Sequence, residues 1–145
     1  PRCAATTGPH ADTADGCTAC RETSMGFDAA VRLGPYAGRL RDAVLRMKQG
    51  DGDGLAEMMG RVFREAVTAR LAAEGIGLVA PVPLHWRRRW HRGHNQSAGL
   101  AREMAAGLGV PFAPRLLCRV RHTPQQAQPT RTARRENVRG AFRAK

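Results

Sequence analysis

Residues Ile76 to Pro83 read IGLVAPVP, a short and almost wholly apolar run that contains two prolines. Such a run suits a strand buried on both faces of a parallel sheet. A strand at this position restricts the elements downstream of it. Beyond a basic stretch, NQSAGLAREMAAGLG places Leu100, Met104 and Leu108 at four-residue spacing, a helical pattern. VPFAPRLLCRVR then holds a second strand at about Leu116 to Val120. Strand, helix, strand predicts a right-handed βαβ unit.

Upstream, AAVRLGPYAG reads as a short strand or hairpin ending at Gly34 and Pro35. AGRLRDAVLRMK puts Leu40, Val44 and Met47 on one helical face with Leu45 beside them. GDGDG at 50–54 breaks this helix and caps the next. Leu55, Met58, Met59, Val62, Phe63, Ala66, Val67 and Leu71 then follow helical spacing until Gly75. Downstream, residues 121–139 show no apolar periodicity and read as a long loop, and GAFRAK begins a further strand. The fold class is therefore α/β, a parallel sheet with flanking helices over 29–145, preceded by a small cysteine-containing segment over 1–28.

The 145 residues suffice for one domain with a core and a small appendage. An apolar content of 42% argues against wholesale disorder. No run is long and apolar enough for a membrane-spanning helix, and the first residues lack a signal-peptide core, so a cytoplasmic location is expected. A first residue other than Met points to a fragment or a trimmed chain.

Charge is unevenly placed. Residues 1–84 carry ten basic and ten acidic side chains; residues 85–145 carry fourteen basic ones against Glu103 and Glu136, and so hold the entire net +12. A block of this kind calls for an anionic partner or serves solubility. Of the 24 basic residues, 22 are Arg, which suits bidentate phosphate contacts.

Three constellations could carry chemistry. The first is PVPLHWRRRWHRGHNQS, at the carboxyl end of the strand, where open α/β sheets gather ligands. Its loop feeds a helix N-terminus near Asn95 to Ser97, which offers free N–H groups to an anion. Arg92 to Gln96 read as a phosphate or pyrophosphate site. Arg87, Arg88 and Arg89 read as a solvated strap with Trp86 or Trp90 covering core; the alternative is a nucleic-acid face made of Trp86, Arg87, Arg88, Arg89 and Trp90, by phosphate contact and stacking. The second is Thr123, Gln126, Arg134 and Asn137 in the long loop, either a lid that closes over a polyanion or a basic linker. The third is Cys3, Cys17 and Cys20. With no secretory signal, reduced thiols and a metal are expected over disulfides. Zinc wants four ligands, and His10 is the candidate fourth; a degenerate site is the alternative. Cys118 reads as a small buried apolar residue. No Ser-His-Asp pattern or phosphate-binding G-x-x-x-x-G-K occurs, and no general base is assigned.

The C-x-x-C segment, YAGRLRDAVLRMK, LVAPVPLHWRRRWHRGHNQSAGLA and RVRHTPQQAQPTRTARRENVRGAF occur in this order. Together they resemble the ComF family of phosphoribosyltransferase-like proteins, which are bacterial and linked with DNA uptake in natural competence. The resemblance covers almost the whole chain. It implies a type I phosphoribosyltransferase fold with a zinc-ribbon-like cap. It implies that Pro83, Arg92, Gly93, Asn95 and Gln96 bind the pyrophosphate of phosphoribosyl pyrophosphate (PRPP), accompanied by Mg²⁺, and that roughly Arg121 to Asn137 closes over it. PRPP or pyrophosphate and competence proteins are the partners that follow from it; single-stranded DNA is the partner that the basic half with Trp86 and Trp90 would suit. There are two departures. Thr6 stands where the family has a second zinc cysteine. The family's acidic PRPP-binding motif, two Asp followed by Thr-Thr-Gly, would follow the GAF strand, and Lys145 precedes it. The resemblance then implies a stretch that is not a competent transferase alone, with an exposed sheet edge and self-association expected.

Overall fold

The computed structural model describes residues 3–4, 17, 20–21, 26–124, 126 and 130–145. They fall into two compact units, 1–41 and 42–145. In the first, Cys17 opens a turn in which its carbonyl accepts the N–H of Cys20 at 2.8 Å and of Arg21 at 3.1 Å. Residues 26–35 form bends and extended chain, not the expected strand or hairpin.

Helix α1 spans Gly38–Arg46. Met47 follows it and is buried, as its place on the apolar face predicts. The chain then turns at Gly52, where a side chain is impossible: a Cβ would lie 2.7 Å from the Met47 carbonyl. Helix α2 spans Asp53–Ala72. It packs against helix α4, Gln96–Leu108, and this pair is the core of the second unit.

The contact between them is made by small residues. Ala56, Gly60 and Val67 of α2 are buried, as are Gly99, Ala101, Met104 and Ala105 of α4. A Cβ on Gly60 would stand 3.0 Å from the Glu103 side chain and 3.2 Å from the Leu100 Cα, so the axes approach as closely as glycine permits. Glu103 accepts from Arg64 at 3.0 Å across this interface, with Arg61 at 3.7 Å. Met58 and Val62, which share the apolar spacing, are 53% and 42% exposed. The periodicity locates the helix correctly but overstates which side chains make its contact.

Sheet structure among the described residues is much smaller than the expected parallel sheet. Val79 pairs in parallel with Phe112, through Val79 N–H to Pro111 O at 3.0 Å and Ala113 N–H to Val79 O at 2.9 Å. This single bridge does connect two segments across α4, as a βαβ crossover would. In that register the next ladder bonds would require N–H groups from Pro81 and Pro111, and proline has none. Leu78 and Val82 are 45% and 61% exposed, so the run is not covered on both faces.

The second strand, β1 at Leu117–Arg119, pairs antiparallel with β2 at Phe142–Ala144, not in parallel with the Val79 segment. The register sets Leu117 opposite Ala144, Cys118 opposite Arg143 and Arg119 opposite Phe142. Cys118 is half-buried, not the core residue expected of it. Between these strands the expected loop contains a helix, α5, Arg131–Val138. Thr130 caps it by accepting the Ala133 N–H at 3.1 Å. Another helix, α3 at Trp86–Arg92, occupies the basic stretch. No helix of the described residues is long and apolar enough to cross a membrane.

Candidate functional site: a basic cleft and a thiol cluster

The segment after Val79 is tied to two helix starts. Asn95 caps α4 by accepting the Ser97 N–H at 3.2 Å, while its own amide donates to the Val82 carbonyl at 3.1 Å. The Ser97 hydroxyl donates to the same carbonyl at 2.6 Å. A carbonyl with two lone pairs thus takes both donors. The strand end and the helix N-terminus are locked together by residues whose type the sequence shows: Asn is among the best N-caps.

His85 caps α3. Its Nδ1 accepts the Arg87 N–H at 3.4 Å, which requires that nitrogen to be unprotonated. Burial pushes the His85 pKa below its ordinary 6.5, and the neighbouring His122, Arg87, Arg119 and Arg88 push it the same way. Gly93 ends α3 at φ 76°, a conformation open to glycine. His94 then reaches across, with Nε2 2.9 Å from the Met47 carbonyl and Nδ1 3.1 Å from the Arg92 carbonyl.

Two hollows flank this junction. One, of about 270 Å³, is lined by Pro83, Leu84, Trp86 and Asn95 and by four cations, Arg89, Arg115, Arg119 and Lys145, with no carboxylate side chain among the described residues that line it. The other, of about 330 Å³, is lined by Gly93, His94 and Asn95 and shares Arg89; Arg102 and Asp53 also reach it. Of the residues expected at a pyrophosphate, Pro83, Gly93 and Asn95 are brought to these hollows. Arg92 and Gln96 line neither. Sequence reasoning does not assign Arg89, Arg115, Arg119 and Lys145 to this role, because no spacing distinguishes them within a block of fourteen basic side chains.

Arg119 is the most constrained of them. Its guanidinium donates to the hydroxyl of Thr123, a fully buried side chain, and lies over the Phe142 ring at 5.4 Å from the centroid. Its buried Nε has no protein acceptor among the described residues. Burial lowers its pKa, and the charges of Arg88 and Arg121 lower it further. Arg88 donates to the Thr123 carbonyl at 2.8 Å, so it is a docking contact of α3 and not part of a solvated strap.

Of the expected lid residues, Gln126, Arg134 and Asn137 come together and satisfy one another, while Thr123 is fully buried against Arg119. Gln126 donates to the Arg134 carbonyl at 3.0 Å and accepts from Asn137, whose amide also lies 3.5 Å from the Pro124 carbonyl. Arg121 closes the end of α5 by donating to the carbonyls of Asn137 at 3.2 Å and Arg139 at 2.5 Å.

In the first unit, Cys17 Sγ lies 3.6 Å from both Cys3 Sγ and Cys20 Sγ, and all three sulfurs are within 4.8 Å of one another. Sulfurs held about 2.3 Å from a tetrahedral metal stand about 3.8 Å apart, so three corners of such a site are present. Cys17 and Cys20 are buried and Cys3 is half-buried. The cluster could hold a metal ion. His10 and Thr6 lie outside the described residues.

These features define a mixed α/β protein with a basic cleft and a potential metal-binding thiol cluster. Among curated proteins the chain is similar to "Competence protein F" of Haemophilus influenzae, 28% identical over 129 residues that cover 87% of this chain and 56% of that one. It is similar to "DNA utilization protein YhgH" of Salmonella typhimurium, 28% identical over 130 residues covering 88% and 57%, and to the Escherichia coli K12 protein of that name, at 26%. The resemblance drawn from the motifs is borne out by these relatives. The chain spans about half the length of the curated relatives it matches. No protein-family profile matches the chain, and no solved structure matches it.

Proposed function

We propose that this chain contributes the pyrophosphate-binding half of a PRPP-type site in a protein that serves DNA uptake. The observation that carries the reading is the cleft at the end of the Val79 segment, where Arg89, Arg115, Arg119 and Lys145 converge without a carboxylate side chain among the described lining residues. Like charges gathered in one cleft repel one another, and an anion there relieves that repulsion. The Arg119 guanidinium, fixed by Thr123 and Phe142, supplies a positioned charge for such an anion. Asn95 and Gly93, at the start of α4, add a close backbone approach. The names of the relatives support the setting in competence and DNA utilisation. Transfer of the phosphoribosyl group, by which pyrophosphate leaves, would be the work of the family fold as a whole, and Mg²⁺ would arrive with the ligand. The lid reading assigns Thr123, Gln126, Arg134 and Asn137 to closure over it.

The thiol cluster fits zinc, with Cys3, Cys17 and Cys20 as three ligands and His10 as the fourth. Its role would be to fix a segment too poor in apolar residues to hold itself together.

Titration calorimetry with pyrophosphate and with PRPP, each with Mg²⁺, tests the cleft. Binding of both is expected. Arg89→Ala and Arg119→Ala should each weaken it by about 10-fold to 100-fold, the loss of one charge-assisted hydrogen bond. No heat from either ligand with the folded protein would sink the reading.

A further inference from the structure

Both tryptophans of the chain stand on α3. Trp86 and Trp90 are four residues apart, so they share one face of the helix. They are 65% and 88% exposed. With Arg87 they line a shallow hollow of about 340 Å³, and the Arg87 guanidinium lies 5.3 Å from the Trp86 ring centroid. The helix is held from its other side: His85 is buried beneath it, Arg88 is fastened to Thr123, and Arg89 lines the basic cleft. Trp86 touches His85, with ring centroids 5.6 Å apart, and edges the basic cleft, but most of both indoles is left open. Tryptophan is highly buried on average, so two such rings on one helical turn are unusual unless something covers them.

We propose that the outer face of α3 binds an unpaired nucleic-acid strand, with bases stacked on Trp86 and Trp90 and phosphates met by Arg87 and the basic side chains around it. The sequence of α3, WRRRWHR, contains no acid, and the chain from residue 85 onward holds the whole net positive charge. That charge complements a phosphate backbone, whereas a protein partner would have to be acidic along its whole contact. An unpaired strand is required because a duplex hides the faces of its bases in its own stack, while a single strand offers them to an aromatic side chain. Trp86 also lines the basic cleft beside Arg119, whereas Trp90 and Arg87 do not. Pyrophosphate held by Arg119 and a base stacked on Trp90 are therefore separable, although one helix carries both.

With both tryptophans on α3, intrinsic fluorescence reports on this helix, and Trp86→Phe leaves as the reporter Trp90, which does not line the basic cleft. Oligo(dT) or oligo(rU) should quench the emission of the folded chain, and a duplex of equal length should quench it much less; whichever single strand binds more tightly identifies the sugar preferred. Quenching should persist with pyrophosphate at saturation. The double variant Trp86→Ala/Trp90→Ala, followed by anisotropy of a labelled oligonucleotide, should bind at least about 10-fold more weakly. Arg87→Ala should reduce both the affinity and its dependence on salt. Undiminished binding by the double variant with a native melting curve would overturn the proposal. Equal quenching by duplex would do the same. So would an emission that shifts to the blue with protein concentration and ignores oligonucleotide, since the face would then be covered by a second copy.

Discussion

Replacing Gly60 by alanine sets two known effects against each other. Within a helix, alanine is favoured over glycine by about 1 kcal/mol, because it loses less backbone entropy. Against this, the new Cβ would sit 3.0 Å from Cβ and Cγ of Glu103 and 3.2 Å from Cα of Leu100. Carbon atoms prefer about 3.5–4.0 Å, so α4 would have to withdraw by about half an ångström. It cannot do so by rotating a loose side chain. The Leu100 atom is main chain, and Glu103 is held by Arg64 at 3.0 Å. Overpacking of this kind costs about 1–3 kcal/mol. The net expectation is a change between about zero and 2 kcal/mol of destabilisation. Gly54→Ala is the control, since a Cβ there meets nothing within 4 Å. It should stabilise by up to about 1 kcal/mol. Urea unfolding of the two variants should thus separate them by about 1–3 kcal/mol at unchanged m-value. If Gly60→Ala proves as stable as Gly54→Ala, α2 and α4 are not in the close contact described.

Three further outcomes are expected. The lowered pKa of His85 means that the unfolded chain binds the extra proton between that lowered value and the ordinary 6.5. Its contribution to stability is therefore full above about pH 6.5 and declines as pH falls toward the lowered value. His85→Asn, which caps without titrating, should flatten that limb of a pH–stability profile; an unaltered limb refutes the assignment. Asn95→Ala removes the cap of α4 and one tie to Val82, and should cost about 1 kcal/mol or more in chemical denaturation; no measurable change would show the junction to be incidental. Cys17→Ser should abolish zinc retained through purification, measured by elemental analysis, and wild-type protein free of zinc would disprove the metal assignment.

Much of the helical framework was legible from spacing and caps. Leu40, Val44 and Met47 marked α1, and Leu100, Met104 and Leu108 with Asn95 marked α4, because an apolar stripe and a capping side chain are local signals. α3 and α5 were not legible by the same means. Their sequences, WRRRWHR and RTARRENV, are dominated by arginine and bury no apolar stripe, and each is fixed by a cap, His85 or Thr130, and by arginines reaching distant carbonyls. The expected parallel sheet is reduced to one bridge among the described residues. Apolar content argued for it, but Pro81 and Pro111 remove the N–H groups that its ladder would use on either side of Val79.

The sequence points to Arg92 to Gln96 as an anion site beyond the Ile76–Pro83 run; of these the structure brings Gly93 and Asn95 to the hollows and leaves Arg92 and Gln96 off them. Composition also set the presence of thiols able to bind metal. Only the tertiary structure shows which cations line the cleft. Arg119 and Arg89 come from different elements and meet at the cleft, while Arg92, nearer in sequence to the candidate loop, does not line it. Likewise the two tryptophans were visible as letters, but their shared exposed face exists only because α3 is a helix held down on its opposite side. Local patterns encode which element forms; convergence and exposure arise from where separate elements are packed, and no spacing along one segment records that.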